Sequence, residues 1–307
     1  MRQIKLAYRD NDRTPVIFCI QEMARKHYDL EIRVLQIQGT ADYEAALFAG
    51  SCDVLIEHLE YLFVNAEKRA PVTLFCAPSI RRGAELVVSP RINRLEDLKG
   101  ETMTVRSSGR PHTIALWLRA MGLEEDVRTV VVKDGEVGRW GQWKKVSSGD
   151  SAATFMDPIY LLPALAAGLK VLPVHDIEVV GHFAQACLSR YPAENPELFR
   201  DYVKAVIHAL CLIKFQRESA LEISAGEPMR LMGIQDLAEM SRQFDCIARE
   251  LQIRPYPTLE ALRNSHEVAA VEYGAGELNP LTFWDLHWIK ELDDEGFIDA
   301  LIKKLRA

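Results

Sequence analysis

Through the first half of the chain, short apolar runs alternate with longer stretches whose apolar residues recur every three or four positions. Runs such as Ile4-Lys5-Leu6-Ala7-Tyr8 and Val72-Thr73-Leu74-Phe75-Cys76 have strand character, and the stretches between them have the helical period. The pattern predicts strands at 4–8, 31–36, 54–56 and 72–76. Helices are expected at 15–27, up to Ala49-Gly50, and through Lys68. Pro15 suits a first helical turn, where its missing N–H costs nothing, and Gly50 suits a helix C-cap.

The run 85–89 then leads to a second block, with strands at 102–105, 129–132, 153–156 and 171–174 and helices at 94–100, 113–121 and 158–168. Strands separated by helices of this length imply βαβ units and mostly parallel sheets. From Ala193 the period is helical, giving helices at 195–216, 234–251, 258–272 and 283–304. At 307 residues the chain is long enough for two units. Two crossing segments, 85–89 and 182–189, flank the second block. They predict a discontinuous first lobe, 1–88 plus 185–307, and a continuous second lobe, 89–184.

Composition narrows the function classes. With 48% hydrophobic and 26% charged residues the chain can bury an ordinary core. A formal charge of −7, with basic residues only in short clusters such as Lys144-Lys145 and Lys303-Lys304, argues against a nucleic-acid partner. The most apolar stretch, 159–174, contains Pro163 and Lys170 and falls short of the ~20 residues a bilayer requires, so no membrane insertion is expected. The chain enters a strand directly after Met-Arg-Gln, with no apolar leader, which reads as cytoplasmic. A leader upstream would instead place it in the periplasm or on a lipid anchor. Six cysteines with no CxxC pair, mostly in apolar runs, read as free buried thiols. Their spacing matches no zinc pattern, and neither a metal nor another cofactor is expected.

In open α/β sheets ligands bind outside the carboxyl ends of the strands. That rule selects Arg9, Asn11 and Arg13 after the first strand, then Gln38 and Thr40 after the second. Glu57 and His58 follow the third, with Tyr61 about one turn on, and Ser79, Arg81 and Arg82 follow the fourth. The second block contributes Ser107, Ser108, Gly109, Arg110, His112 and Asp157. The turn 107–112 joins a strand to a helix start, where free N–H groups and the helix dipole favour an anion. Arg110 adds a planar donor fork suited to carboxylate or sulfonate. The plainer alternative is that Ser108 caps the helix. Arg81 and Arg82 are a second clamp or a solvated basic loop. Arg9 and Arg13 lie among Asp10 and Asp12, so mutual neutralisation is their alternative.

For proton transfer the candidate is His58, with Glu57 and Tyr61 beside it; a hydrogen-bonded structural histidine is the alternative. His175 beside Asp176 is the rival pair. His27, His182, His208, His266 and His287 have no partner at motif spacing and read as structural or surface residues. Trp140 and Trp143, in a Gly-rich connection, either cover a bound ring or pack locally. The stripe Phe283, Trp284, Leu286, Trp288, Ile289, Leu292 reads as core packing.

Four segments carry a family resemblance. Ile92-Asn93-Arg94-Leu95-Glu96-Asp97-Leu98-Lys99-Gly100 leads to a strand, a Ser/Gly turn and a helix ending Ala120-Met121-Gly122-Leu123. Ala45-Ala46-Leu47-Phe48-Ala49-Gly50-Ser51-Cys52-Asp53-Val54 precedes it in the chain. Thr154-Phe155-Met156-Asp157-Pro158, with Asp157 where Glu is commoner, precedes Ala166-Ala167-Gly168-Leu169-Lys170-Val171-Leu172; Asn195-Pro196-Glu197 comes last. In this order they resemble the periplasmic-binding-protein type II fold, in the branch of sulfonate- and taurine-binding and thiamine-pyrimidine-precursor proteins, over most of the chain. The resemblance implies an α/β fold of two lobes, each a mixed, mostly parallel sheet flanked by helices, with a ligand cleft between them. It also implies a small anionic organic ligand (a sulfonate, a carboxylate or a heterocyclic precursor) and an ABC permease as partner.

The same fold hosts enzymes, so a cytoplasmic decarboxylase, desulfinase or hydrolase of a small acid, aromatic or not, is the alternative. Asp12-Arg13-Thr14 and Ala115-Leu116-Trp117-Leu118-Arg119 are similar to decarboxylases of the dihydroxyphthalate type. Desulfinases carry a nucleophilic Cys in the loop after the first strand; here Cys19 lies about a turn inside the helix. A ligand sensor is a third reading, weakened by the lack of a recognisable effector domain.

Overall fold

The computed structural model describes the chain apart from residues 1, 10, 38–39, 57–61, 63–70, 82, 108–110, 139, 277–278 and 307; at 11, 40, 41 and 134 only the backbone is described. The residues form two compact units. The first comprises Met1–Ile80, Val180–Ala269 and Tyr273–Ala307, and the second Arg81–Val179 with Ala270–Glu272. The boundaries thus fall at 80/81 and 179/180 rather than at 88/89 and 184/185. The strand at 85–88 pairs within the second sheet, and pairing decides which unit holds it.

The first lobe is built on a sheet of β1 (Arg2–Tyr8), β2 (Leu30–Gln36), β3 (Val54–Ile56), β4 (Val72–Cys76) and β10 (Gln185–Leu188), in the order β2-β1-β3-β10-β4. β1 runs parallel to β2 and β3, and β10 runs antiparallel to β3 and β4. Side chains alternate across the sheet. Ile4, Leu6, Tyr8, Val54 and Ile56 enter one core with the helices Thr14–Tyr28 and Pro196–Phe215, whereas Ala7 and Leu55 enter another with Tyr43 and Leu47. Both faces are covered, so apolar residues fill successive positions at Leu6-Ala7-Tyr8 and throughout β3.

The second lobe contains β5 (Glu85–Val88), β6 (Thr102–Arg106), β7 (Arg128–Val132), β8 (Ala153–Met156) and β9 (Lys170–Leu172), in the order β7-β6-β8-β5-β9. β6 is parallel to β7 and β8, and β5 is antiparallel to β8 and β9. The two sheets therefore share one plan: three parallel strands, then an antiparallel strand supplied by a crossing segment. The fully buried Trp117 anchors the helix Pro111–Ala120. It packs edge-on against Phe155 and donates from Nε1 to the carbonyl of His175 at 2.9 Å.

The C-terminal region departs from the sequence reading. The single helix expected at 283–304 is a 3-10 turn, Pro280–Phe283, and two helices, His287–Asp294 and Phe297–Arg306. Gly296 takes a left-handed φ of 76°, which ends one helix and frees the next to change direction. Two helices absent from that reading, Arg217–Ser224 and Glu227–Leu231, follow the long helix Pro196–Phe215.

Candidate functional site

At the carboxyl edge of the first sheet, β1, β3 and β4 end at Tyr8, Ile56 and Cys76, and the antiparallel β10 begins at Gln185. A 3-10 turn, Asn11–Arg13, carries β1 directly into the helix Thr14–Tyr28. Arg13 is only 4% exposed. Its Nη1 lies 2.6 Å from Asp12 Oδ2, its Nη2 hydrogen-bonds His182 Nδ1, and its guanidinium carbon stands 5.4 Å from the Phe183 ring centre. Burying a guanidinium is costly unless a charge and hydrogen bonds compensate it, and Asp12 and His182 supply both.

The same edge holds further polar groups. Ser79 is fully buried, and its Oγ has no hydrogen-bond partner among the described residues. Its carbonyl accepts from Gly181 N at 2.8 Å. A Cβ on Gly181 would overlap the Ser79 hydroxyl, so this close approach requires glycine. Gln185 accepts from the Tyr202 hydroxyl at 2.8 Å through Oε1, while its Nε2 has no partner among the described residues. A buried donor left unmatched costs about 1–3 kcal/mol. A bound molecule rich in acceptors offsets that cost.

The second sheet has a comparable edge. Arg106, the last residue of β6, is 9% exposed, and its guanidinium carbon lies 3.7 Å from the Trp140 ring centre. That is a close cation–π contact. Trp140 stacks on Tyr160 at 4.4 Å and 16°. Its φ of 63° is a strained conformation for a bulky residue, and such strain concentrates at ligand sites. Trp140 Nε1 and Thr113 Oγ1, the latter in the first turn of the helix Pro111–Ala120, are buried without hydrogen-bond partners among the described residues.

Several expected residues take other roles. The backbone N–H of His112 donates to Glu272 Oε1 at 2.7 Å, so the chain's own carboxylate occupies part of that helix start. Asp157 accepts from Ile159 N at 3.2 Å and caps the 3-10 turn Pro158–Tyr160, a local role that a short carboxylate suits. Arg81 is exposed and forms a backbone bridge with Glu178, and Ser107 is exposed beyond β6. The Arg9 carbonyl accepts from Gln36 Nε2 at 3.4 Å. Asp176 accepts from Gly83 N and Ile177 N. Asn11 and Thr40 open the 3-10 turn and the helix Thr40–Phe48. Gln38, Glu57, His58, Tyr61, Arg82, Ser108, Gly109 and Arg110 lie outside the described residues.

Sequence reasoning missed His182, Arg106 and Tyr160. The carboxyl-end rule was applied to parallel strands, but an antiparallel strand enters at that same edge, which brings in His182 just before β10. Arg106 closes Thr102-Met103-Thr104-Val105, and an arginine at a strand's carboxyl end was a usable signal.

No group of three or more His, Cys, Asp or Glu able to hold a metal occurs among the described residues. All six cysteines are free and buried. Burial pushes the Cys19, Cys52 and Cys211 thiols up to about 12 and raises those of Cys76 and Cys187 as well. These five stay protonated near neutrality and make poor nucleophiles. No helix of the described residues is long and apolar enough to cross a membrane.

No protein-family model and no curated protein matches the chain. Solved structures do. A putative sulfonate ABC transporter's periplasmic sulfonate-binding protein, SsuA from Methylobacillus flagellatus KT, is 17% identical with a TM-score of 0.68, covering 97% of this chain and 96% of that one. The periplasmic aliphatic sulphonate binding protein SsuA from Escherichia coli is 16% identical with a TM-score of 0.61, covering 89% and 87%. A DszB mutant in complex with biphenyl-2-sulfinic acid is 13% identical with a TM-score of 0.62, covering 96% and 100%. The chain has the periplasmic-binding-protein fold that these structures share with its two-lobed plan.

Proposed function

We propose that this protein binds a small organic anion, a sulfonate or carboxylate, as the substrate-binding component of an ABC import system. One observation carries the reading: the carboxyl edge of each sheet holds a buried arginine, Arg13 in the first lobe and Arg106 in the second. In a chain of net charge −7, guanidinium groups buried at the edges where α/β sheets bind ligands favour an anion. The planar donor fork of Arg106 matches sulfonate and carboxylate oxygens, whereas both Nη atoms of Arg13 are engaged by Asp12 and His182. The neighbours named as sulfonate-binding and as parts of ABC import systems support this ligand class and partner. In this reading the protein works on the outer side of the cytoplasmic membrane and delivers its ligand to a permease. Ser79 in the first lobe and, from the sequence, Ser108, Gly109 and Arg110 in the second are further residues proposed to contact an anion.

The test is calorimetric titration with alkanesulfonates, arylsulfonates, carboxylates and their neutral amides. Saturable binding of at least one anion, with no binding of its amide and no product by mass spectrometry, is expected. If every anion is ignored, the reading falls.

The hydrogen bond between Arg13 and His182, with Asp12 beside it, keeps a second reading in play, a lyase or hydrolase of a small acid. It places an imidazole at the carboxyl edge, and His58 is the proton-transfer group proposed for it. Product formation in the same incubations decides for this reading.

A further inference from the structure

A cavity of about 580 Å³ opens in the helical layer of the first lobe. It is walled by the C-terminal half of the helix Thr14–Tyr28, by the helices Pro196–Phe215 and Arg217–Ser224, and by the last helix, Phe297–Arg306. From Arg13, its residues 22–27 lie about 14–21 Å along the helix axis at 1.5 Å per residue. It is therefore separate from the carboxyl edge, and its volume falls in the range of small-molecule sites.

The lining divides by chemistry. Met23, Leu212, Ile223 and Leu305 supply an apolar wall. The polar part is mixed: beside Gln216, Ser219 and two carboxylates it holds the imidazoles of His27 and His208, with ring centres 4.4 Å apart, and Lys304. Lys304 makes no ion pair among the described residues, whereas Lys26 is held by Glu22 at 2.8 Å. Glu22 is also engaged by Arg25. Glu222 is the remaining carboxylate on the wall. Burial first, and the charge of Lys304 with it, disfavours protonation of both imidazoles, while Glu22 favours it at His27; Lys304 is the cation left without an ion pair among the described residues.

We infer that this cavity is a second ligand site, which takes an amphiphilic organic monocarboxylate with its carboxylate against Lys304 and His27 and its apolar part on Met23, Leu212, Ile223 and Leu305. A carboxylate there meets the Lys304 ammonium, which has no ion pair among the described residues, and accepts a hydrogen bond from an imidazole N–H. One charge suffices, because Glu222 opposes a second. The apolar wall removes the tail from water, at roughly 0.8 kcal/mol per buried CH₂.

Decanoate is the probe, with 1-decanol as its uncharged control. In calorimetry at pH 6.5, decanoate is expected to bind and 1-decanol to bind at least tenfold more weakly. Lys304→Glu, at an exposed position that the fold does not need, is expected to weaken decanoate at least tenfold without changing the thermal midpoint. Arg106→Lys is expected to leave decanoate affinity unchanged, which separates this site from the anion site of the proposed function. In proton NMR the His27 and His208 ring signals should move during the titration. Equal affinity in wild type and Lys304→Glu, or unmoved signals from both histidines, overturns the inference.

Discussion

Lowering the pH should loosen the first lobe through one imidazole. His208 is 4% exposed and hydrogen-bonds the Tyr28 hydroxyl at 3.2 Å. The groups acting most strongly on it oppose a positive charge: the His27 ring is 4.4 Å away and Lys304 is cationic. Burial, then His27 and Lys304, lower its pKa from 6.5 to about 4. In the unfolded chain the imidazole returns to its ordinary value, so unfolding takes up a proton between those two pKa values and stability falls as pH falls. At about 1.36 kcal/mol per unit, the whole effect is about 3 kcal/mol, of which roughly 2.5 kcal/mol is gone by pH 4.5. The carboxylates held low by arginine, such as Glu22 beside Arg25 and Asp245 beside Arg217, lose their contribution as pH falls further, below the ordinary carboxylate range. The window from pH 6.5 to 4.5 therefore belongs mainly to histidine. Urea unfolding followed by circular dichroism should show the midpoint dropping steeply through this window in wild type and less steeply in His208→Gln, where His27, also lowered by burial, keeps a smaller slope. At pH 7.5 the variant should lie within about 1 kcal/mol of wild type, the usual worth of one hydrogen bond. An equally steep pH dependence in both proteins refutes the argument.

Gly181→Ala forces a Cβ into the buried Ser79 hydroxyl and should cost about 1–3 kcal/mol, read as a lower thermal midpoint; the double variant with Ser79→Gly should recover most of it. Arg13→Met leaves the Asp12 carboxylate buried without its 2.6 Å partner and should cost about 3–5 kcal/mol, whereas adding Asp12→Leu should restore much of that loss in the same urea assay. If the protein turns over its ligand, His58→Gln should lower the rate about 10²–10⁴-fold while affinity changes little; retained turnover removes His58 from that role.

Much of the fold was legible because the first sheet is covered on both faces, so that its strands carry apolar residues at successive positions, as in Leu6-Ala7-Tyr8, Val54-Leu55-Ile56 and Leu74-Phe75-Cys76. The helix Thr14–Tyr28 was equally plain, with Pro15 in its first turn. The C-terminal break was not, because the apolar period of 283–304 continues across Gly296 and only the left-handed backbone there shows that the helix stops. The site was legible in part. The strand-end rule reached Arg13 and Ser79, but it says nothing of how a side chain is neutralised, and the pairing of Arg13 with His182 joins residues far apart in sequence. Asp157 and His112 stand where the rule put them and are engaged locally, one as a cap and one by Glu272. Trp140 packs against Tyr160 and Arg106, contacts that no periodicity encodes.

The claim that matters most is that a buried guanidinium at a sheet's carboxyl edge recognises the anion. Arg106→Lys tests it directly, since it keeps the charge and the length of the chain but removes the planar fork. With the tightest-binding sulfonate or carboxylate of the panel, calorimetry should show Kd rising about 10- to 100-fold. That corresponds to the roughly 1.5–3 kcal/mol of a hydrogen bond to a charged group; loss of the Trp140 stacking should also lower the thermal midpoint, so affinity is read at a temperature where both proteins are folded. An unchanged Kd for that anion in Arg106→Lys would contradict the account.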